Sequence, residues 1–266
     1  MNGLGQFEFI LRRRSGPMRL VGKIVSFATL FSATFFFLHA TDATKAVIRD
    51  DLDDLGGIPW LYSAVCLIFS ILAGFVIQHE WDYWNDFMEA INGELSTIRS
   101  LWLWSQHVPG PATKLREAMS QYLTVTIEDE WRTSAMGESE VADKALAVLQ
   151  EEASTLFQHS DLNMTTVGII SDLLRHREHR LYSGQRHMPQ ILKVTVGFAD
   201  GLVIVLSLFI GVKHLWLDYL FTLSIALLAY VVYLVVDDLD HPLRPGIWHV
   251  TSKRYERLLA QLQQQT

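Results

Sequence analysis

The sequence contains a single cysteine among its 266 residues, Cys66, and this residue lies inside an apolar run. One cysteine excludes a disulfide framework, and an apolar setting is typical of a packing residue rather than of a nucleophile. The sequence also lacks an HExxH, P-loop, GxSxG or paired CxxC motif, so nothing in it supports enzyme activity. We therefore expect neither catalytic residues nor a cofactor.

The sequence has no excess of basic residues. It contains 22 Lys and Arg and 29 Asp and Glu, which gives a net charge of −7. This balance argues against nucleic acid as a partner. No small-residue cleavage site follows the first apolar segment, which predicts a retained anchor rather than a removed signal peptide. Residues 79–188 contain no run that could span a membrane and no strand-like alternation, so we expect helices there.

Long apolar runs are what the sequence does contain. Half of its residues are hydrophobic (50%) and 19% are charged, which is typical of a membrane protein with a substantial aqueous part. Four runs are long enough to cross a bilayer core of about 30 Å. The predicted fold is therefore an all-α membrane protein with four transmembrane helices and a helical cytoplasmic domain inserted between the second and the third. The predicted divisions are 1–78, 79–188, 189–240 and 241–266, the last containing a closing helix over 246–262.

The topology follows from the basic residues before the first span, Arg12, Arg13 and Arg14. The positive-inside rule places them in the cytoplasm and the acidic connection 41–57 outside. Four spans then return the chain to the cytoplasm, so both termini are expected there.

One helix is predicted to run from the second span into water. The only prolines near it are Pro59, in its first turn, and Pro109, beyond its end. The helix is predicted from Ile58 to about His107. Its ~50 residues measure roughly 75 Å, so its second half projects beyond the membrane. That half is amphipathic, with Phe87, Ile91, Glu94/Leu95, Ile98, Leu101 and Trp102 recurring at helical spacing.

The second span carries Leu67, Ile71 and Phe75 at positions i, i+4 and i+8, which lie along one side of a helix. In a ring of subunits, this stripe would form a narrow apolar constriction of the kind that gates ions by excluding water. The alternative is ordinary helix packing or lipid contact.

Below the stripe, Gln78, Glu80 and Asp82 belong to a cluster of polar and aromatic residues over 78–86. Acids there could form charged rings at an inner pore mouth, which would favour cations. Their alternative role, which we favour, is structural pairing with arginines of the fourth cytoplasmic helix, namely Arg175, Arg177, Arg180 and Arg186.

Asp200 is the one acid well inside a span, and a carboxylate there needs a partner or water. Lys23 enters the membrane from the same side, so we predict either a contact between Lys23 and Asp200 or a water-filled vestibule beside Asp200.

Three acids follow the fourth span: Asp237, Asp238 and Asp240. They are weak candidates for a Ca²⁺ site, because the spacing lacks the full ligand set of an EF-hand. Acids at a turn before a proline, here Pro242, are also commonplace.

The segment LAGFVIQHEWDYWNDFMEAINGELSTIRSL resembles the end of the second membrane helix of the bestrophins. In that family a glycine and a phenylalanine are followed further along by an aromatic pair, matched here by Gly74, Phe75 and Trp84. This match puts Leu67, Ile71 and Phe75 on the neck-forming positions of the family. Two later segments, RHREHRLYSGQRHMPQIL and DDLDHPLRPGIWHV, resemble the turn that opens the third span and the end of the bestrophin-like domain.

The sequence departs from the family pattern at three positions. Tyr83 replaces the usual arginine, Asn85 replaces the second aromatic residue, and Leu243 replaces a phenylalanine. The resemblance implies a homopentamer in a bacterial inner membrane, a central pore with a hydrophobic neck, and chloride as the usual permeant ion. Related bacterial channels can select cations, and the acidic Ca²⁺ cluster of animal members is not matched in full. The alternative from another class is a non-conducting scaffold or sensor whose cytoplasmic helices bind a partner protein.

Overall fold

The computed structural model describes residues 3–40, 58–108, 112–131, 139–158, 160–209 and 214–264. Every regular element in these ranges is a helix, which confirms the predicted all-helical fold. The helices are α1 (Gly3–Ala40), α2 (Ile58–Ser105), α3 (Thr113–Val125) with a π-helical turn (Thr126–Glu130), α4 (Glu140–Phe157), α5 (Asn163–Gln185), α6 (Gln190–Ser207), α7 (Leu215–Leu239) and α8 (Lys253–Gln264). The predicted external connection 41–57 lies outside the described residues.

The chain forms two compact units. The first unit comprises residues 1–81 and 187–249, and the second comprises residues 82–186 and 250–266. Helix α2 contains 48 residues, roughly 72 Å at 1.5 Å per residue, and supplies residues to both units.

The first unit contains helices long and apolar enough to cross a membrane. They are Met18–His39 within α1, the apolar part of α2, and the whole of α6 and α7. Their buried faces meet in three apolar clusters, and α1 is also joined to α7 by a hydrogen bond between the hydroxyls of Ser32 and Tyr219 (2.8 Å). The clusters are Phe69, Ala73, Val203 and Ala229; Val76, Met188, Val196 and Val236; and Phe31, Phe35 and Ala226.

The second unit is a helical bundle in which α3 packs against α4 and α8, and α4 packs against α5. Helix α4 begins at an N-cap, where the Ser139 hydroxyl accepts a hydrogen bond from the Ala142 amide (3.3 Å). The π-helical turn extends α3 by one wide turn that ends at Glu130, a fully buried carboxylate. Wide turns of this kind are frequent at functional positions.

Candidate functional site

The stripe predicted on α2 is exposed in the single chain. Leu67, Ile71 and Phe75 are 62%, 53% and 72% exposed. The opposite face of the same helix is buried, because Phe69, Ala73 and Val76 pack against α6 and α7. Within the single chain, α2 is therefore packed along one face, and the stripe is exposed on the other.

Further along α2 the same helical face becomes polar. Gln78 comes three residues after Phe75, Asp82 comes four residues after Gln78, and both are exposed. Glu80 does not share this face: it is 3% exposed. Glu80 comes two residues after Gln78, a rotation of about 200°, so the helix turns it toward the interior.

Acidic residues continue this exposed face beyond Asp82. Asp86 and Glu89 are both exposed and follow it at helical spacing. The exposed face of α2 thus runs from apolar residues to carboxylates along a single helix.

Asp200 is buried in the first unit, at 6% exposure. Lys23 has a different partner, since its ammonium group lies 4.0 Å from an Asp237 carboxylate oxygen. The predicted contact between Lys23 and Asp200 is therefore wrong, because Asp237 lies closer to the end of the bundle at which Lys23 enters. The other alternative, water beside Asp200, stays a prediction.

Asp237 and Asp238, in the last turn of α7, and Asp240, its C-cap, bind neighbouring backbone amides and cations. Asp238 accepts hydrogen bonds from the amides of Ile247 (2.8 Å) and Trp248 (3.3 Å). Asp237 lies 3.6 Å from the Lys193 ammonium group. No group of three or more His, Cys, Asp or Glu side chains within the described ranges is arranged to hold a metal ion.

Asp240 fixes the start of α6. It accepts hydrogen bonds from the Met188 amide (2.6 Å) and from the Lys193 ammonium group (2.9 Å). Burial raises the pKa of Asp240, but these two hydrogen bonds, the positive charge of Lys193 and the neighbouring His241 ring outweigh burial, so the pKa is lowered from its ordinary value. A carboxylate ionised at neutral pH therefore joins the end of α7 to the beginning of α6.

A buried network of charges forms the centre of the second unit. Arg180 donates to Glu94 (Nε to Oε2, 2.6 Å) and to Glu130 (Nη2 to Oε2, 2.5 Å), and the side chains of all three residues are fully buried. Arg177 donates to the other oxygen of Glu130 (2.7 Å) and contacts Asp143 (2.7 Å). Two arginines thus balance two buried glutamates, joining α2, the π-helical turn and α5.

Two tyrosine hydroxyls complete the coordination of Glu94. Tyr122 donates to Oε1 (2.6 Å) and Tyr255 donates to Oε2 (2.9 Å). Burial, with Glu94 adding to it, raises the pKa of Tyr122 well above its ordinary value, so the phenol keeps the proton that it donates. Burial alone would lower the pKa of Arg180, but Glu94 and the groups around it raise it well above its ordinary value. Arg180 therefore keeps its positive charge at neutral pH, and Tyr122 keeps its proton.

The predicted pairing of the acids of residues 78–86 with Arg175, Arg177, Arg180 and Arg186 stays a prediction. Arg175 pairs with Asp172, and the Arg186 guanidinium lies over the Tyr83 ring at 3.8 Å. The helical pattern contains a signal for the buried network, since Glu94 falls on the apolar face predicted for the second half of α2. Glu130 carried no such signal, because its inward position depends on the π-helical turn.

These features define an all-helical membrane protein in which one long helix exposes an apolar stripe and then an acidic face. The model of the Bestrophin-like domain family matches residues 25–252, and the chain belongs to that family. No curated protein matches the sequence.

Solved structures with the same fold include a bacterial bestrophin homolog from Klebsiella pneumoniae. Its TM-score is 0.70, with 13% identity over 92% of this chain and 97% of that chain. Two structures of mutated forms of that homolog have TM-scores of 0.72 and 0.68, with 12% and 15% identity. They cover 90% and 91% of this chain, and 98% and 99% of their own chains. At these identities the likeness establishes the shared fold.

Proposed function

We propose that this chain is one subunit of a homopentameric ion channel in a bacterial inner membrane. The observation that carries the proposal is the exposed stripe of Leu67, Ile71 and Phe75 on a helix whose other face is buried in the subunit. Five such stripes around an axis would form the neck, and a narrow apolar neck controls ion flow by excluding water. No cofactor is needed for this function.

In the proposed topology, both termini and residues 79–188 are cytoplasmic, as the basic N-terminal segment favours. Gln78 and Asp82 lie at the inner mouth of the pore. Glu80 is left out of this mouth because it is buried. The outward apolar surfaces of the other spans contact membrane lipids and neighbouring subunits.

Chloride is the permeant ion that the bestrophin resemblance favours. A second candidate, a cation-selective channel of the same fold, is favoured by the exposed carboxylates of Asp82, Asp86 and Glu89 on the same face as the neck. Carboxylate rings attract cations and repel chloride. Reversal potentials in a potassium chloride gradient distinguish the two, since their sign gives the selected ion. Replacing the three acids with their amides shifts the reversal potential only if they line the pathway.

Alanine at all three neck positions tests the proposed gate. We expect Leu67→Ala, Ile71→Ala and Phe75→Ala together to raise single-channel conductance in planar bilayers, because smaller side chains widen the constriction and admit water. The matched control places alanine at Leu217, Phe221 and Leu228, three exposed apolar residues of α7, and leaves conductance unchanged. Unchanged currents in the α2 variant would remove these residues from the gate.

The rival function is a scaffold or sensor that conducts no ions and binds a partner protein through its cytoplasmic helices. Purified protein in liposomes separates this rival from a channel. A channel produces ion flux that increases with protein density in the membrane, whereas a scaffold leaves the flux at the level of empty liposomes.

A further inference from the structure

Asp200 is a buried carboxyl group that the proposed pathway does not use. It lies on α6, and its side chain is almost completely enclosed by the first unit. Its Oδ1 atom has no hydrogen-bond partner in the described part of the chain. A buried carboxyl oxygen without a partner is costly, so its chemical state needs an explanation.

The surroundings of Asp200 on α6 are apolar. Val196 and Val203 share its helical face, one turn away on either side. Each of these valines belongs to a buried cluster that includes α2 and α7. Asp200 therefore lies behind α2, on the side of the first unit into which Ala73 and Val76 pack.

No counter-charge is available at this depth. Residues 24–38, 59–77, 194–207 and 219–236 contain no Asp, Glu, Lys, Arg or His other than Asp200. On α7, the Tyr233 ring lies 3.9 Å from the position that a Cβ atom on Gly197 would take. Asp200 thus has no cation within its span to neutralise it.

Several ionisable groups of the described residues near the two ends of the first unit have partners there. Lys193, seven residues and about 10 Å before Asp200 along α6, contacts Asp240 and Asp237. Lys23 of α1 contacts Asp237 as well. At the opposite end, the His39 ring lies 3.5 Å from the carboxylate of Asp218.

We propose that Asp200 is a proton-binding site, with its carboxyl group held in the protonated, neutral form at neutral pH. An apolar enclosure without a counter-charge disfavours the ionised form, and a proton is the smallest ligand that neutralises it. Release breaks the O–H bond, sends the proton to water and leaves a negative charge between α6 and the buried face of α2. Alkaline pH therefore weakens the packing behind the neck helix.

Infrared spectroscopy of the purified protein tests the proposal without depending on channel activity. We expect the wild-type protein at neutral pH to show the carbonyl-stretch band of a protonated carboxylic acid, and the Asp200→Asn variant to lack it. Asp172→Asn, an exposed acid paired with Arg175, leaves the band unchanged. Identical spectra for wild type and Asp200→Asn would overturn the proposal. Loss of the wild-type band on adding sodium at constant pH would also overturn it, because a metal cation would then be the occupant.

A second measurement follows the consequence for packing. Asp200→Asn carries no titratable group, so its melting temperature in detergent should exceed that of wild type by an amount that grows as the pH is raised. Asp172→Asn should follow the wild-type pH profile. A constant difference between Asp200→Asn and wild type at every pH would contradict the proposal, since a purely structural role does not depend on the proton.

Discussion

At the scale of single residues, Arg180 is the residue of the second unit whose loss we expect to destabilise the buried network. Its guanidinium is fully enclosed and donates hydrogen bonds to both Glu94 and Glu130. Burying ions is costly, and each glutamate here is stabilised only while its partners stay in place. Removing the arginine would leave two carboxylates in an apolar interior with tyrosine hydroxyls and Arg177 as their remaining donors.

We expect Arg180→Met to lower the free energy of unfolding by about 3–5 kcal/mol, the range for breaking a buried ion pair by removing one partner. Denaturant unfolding of the protein in detergent measures the change. The control is Arg175→Met on the same helix, whose side chain is 70% exposed and pairs with Asp172, and we expect a change within about 1 kcal/mol. Equal effects of the two substitutions would mean that the buried network does not stabilise the fold.

This network also marks the limit of residue-level prediction. Helical spacing places Glu94 on an inward face, but it cannot find a partner that lies 86 positions away in the sequence. The same limit explains the error for Lys23, because its position in the sequence cannot decide which of two acids, Asp200 or Asp237, lies nearer to it. Only the packing of α1 against α7 decides in favour of Asp237.

At the scale of elements, the approach of α5 to α2 depends on Gly93. A Cβ atom at this position would lie 2.4 Å from the His176 ring, and two of the nearest ring atoms are at that distance. His176 therefore occupies the space that a side chain on α2 would take. A glycine inside a helix is unfavourable by itself, so its presence here is explained by the close packing.

We expect Gly93→Ala to lower the free energy of unfolding by about 1–3 kcal/mol, the usual cost of overpacking. Adding His176→Ala to this variant should restore stability, because the space is then free. Gly168→Ala, on α5 with no atom within 4 Å of the new Cβ, should stabilise by up to about 1 kcal/mol through helix propensity. Failure of the double variant to recover would show that the ring is not the obstacle.

Helix positions were largely predictable because apolar runs, proline and glycine mark them in the sequence. The last helix is the exception: residues 246–262 were predicted, and α8 spans Lys253–Gln264. The Asp238 carboxylate accepts the amides of Ile247 and Trp248, and it also occupies the space above Gly246. These contacts hold the chain after α7 in a loop, and no periodic pattern encodes them.

At the scale of the whole molecule, only a small fraction of the residues in the four membrane-length helices is buried within the chain. In the most apolar window of each, the buried share ranges from 11% in α1 to 28% in α7. Apolar surface of this extent must be covered by lipid or by other subunits. Of this apolar surface, we assign the stripe on α2 to the central axis of an assembly. The width of the conducting pathway would then depend on the number of subunits that contribute a stripe.

Mixed assemblies count the subunits that contribute to the neck. Wild-type subunits are co-expressed with the variant carrying Leu67→Ala, Ile71→Ala and Phe75→Ala, each form bearing a different affinity tag so that assemblies containing both are purified. If every subunit adds one stripe to a shared constriction, single-channel recordings should give a series of intermediate conductances, one for each mixture of five subunits. The physical reason is that each substituted stripe widens one fifth of the same ring. Recordings with only the two parental conductances would mean that each subunit conducts alone, and the assignment of the stripe to a common axis would then be wrong.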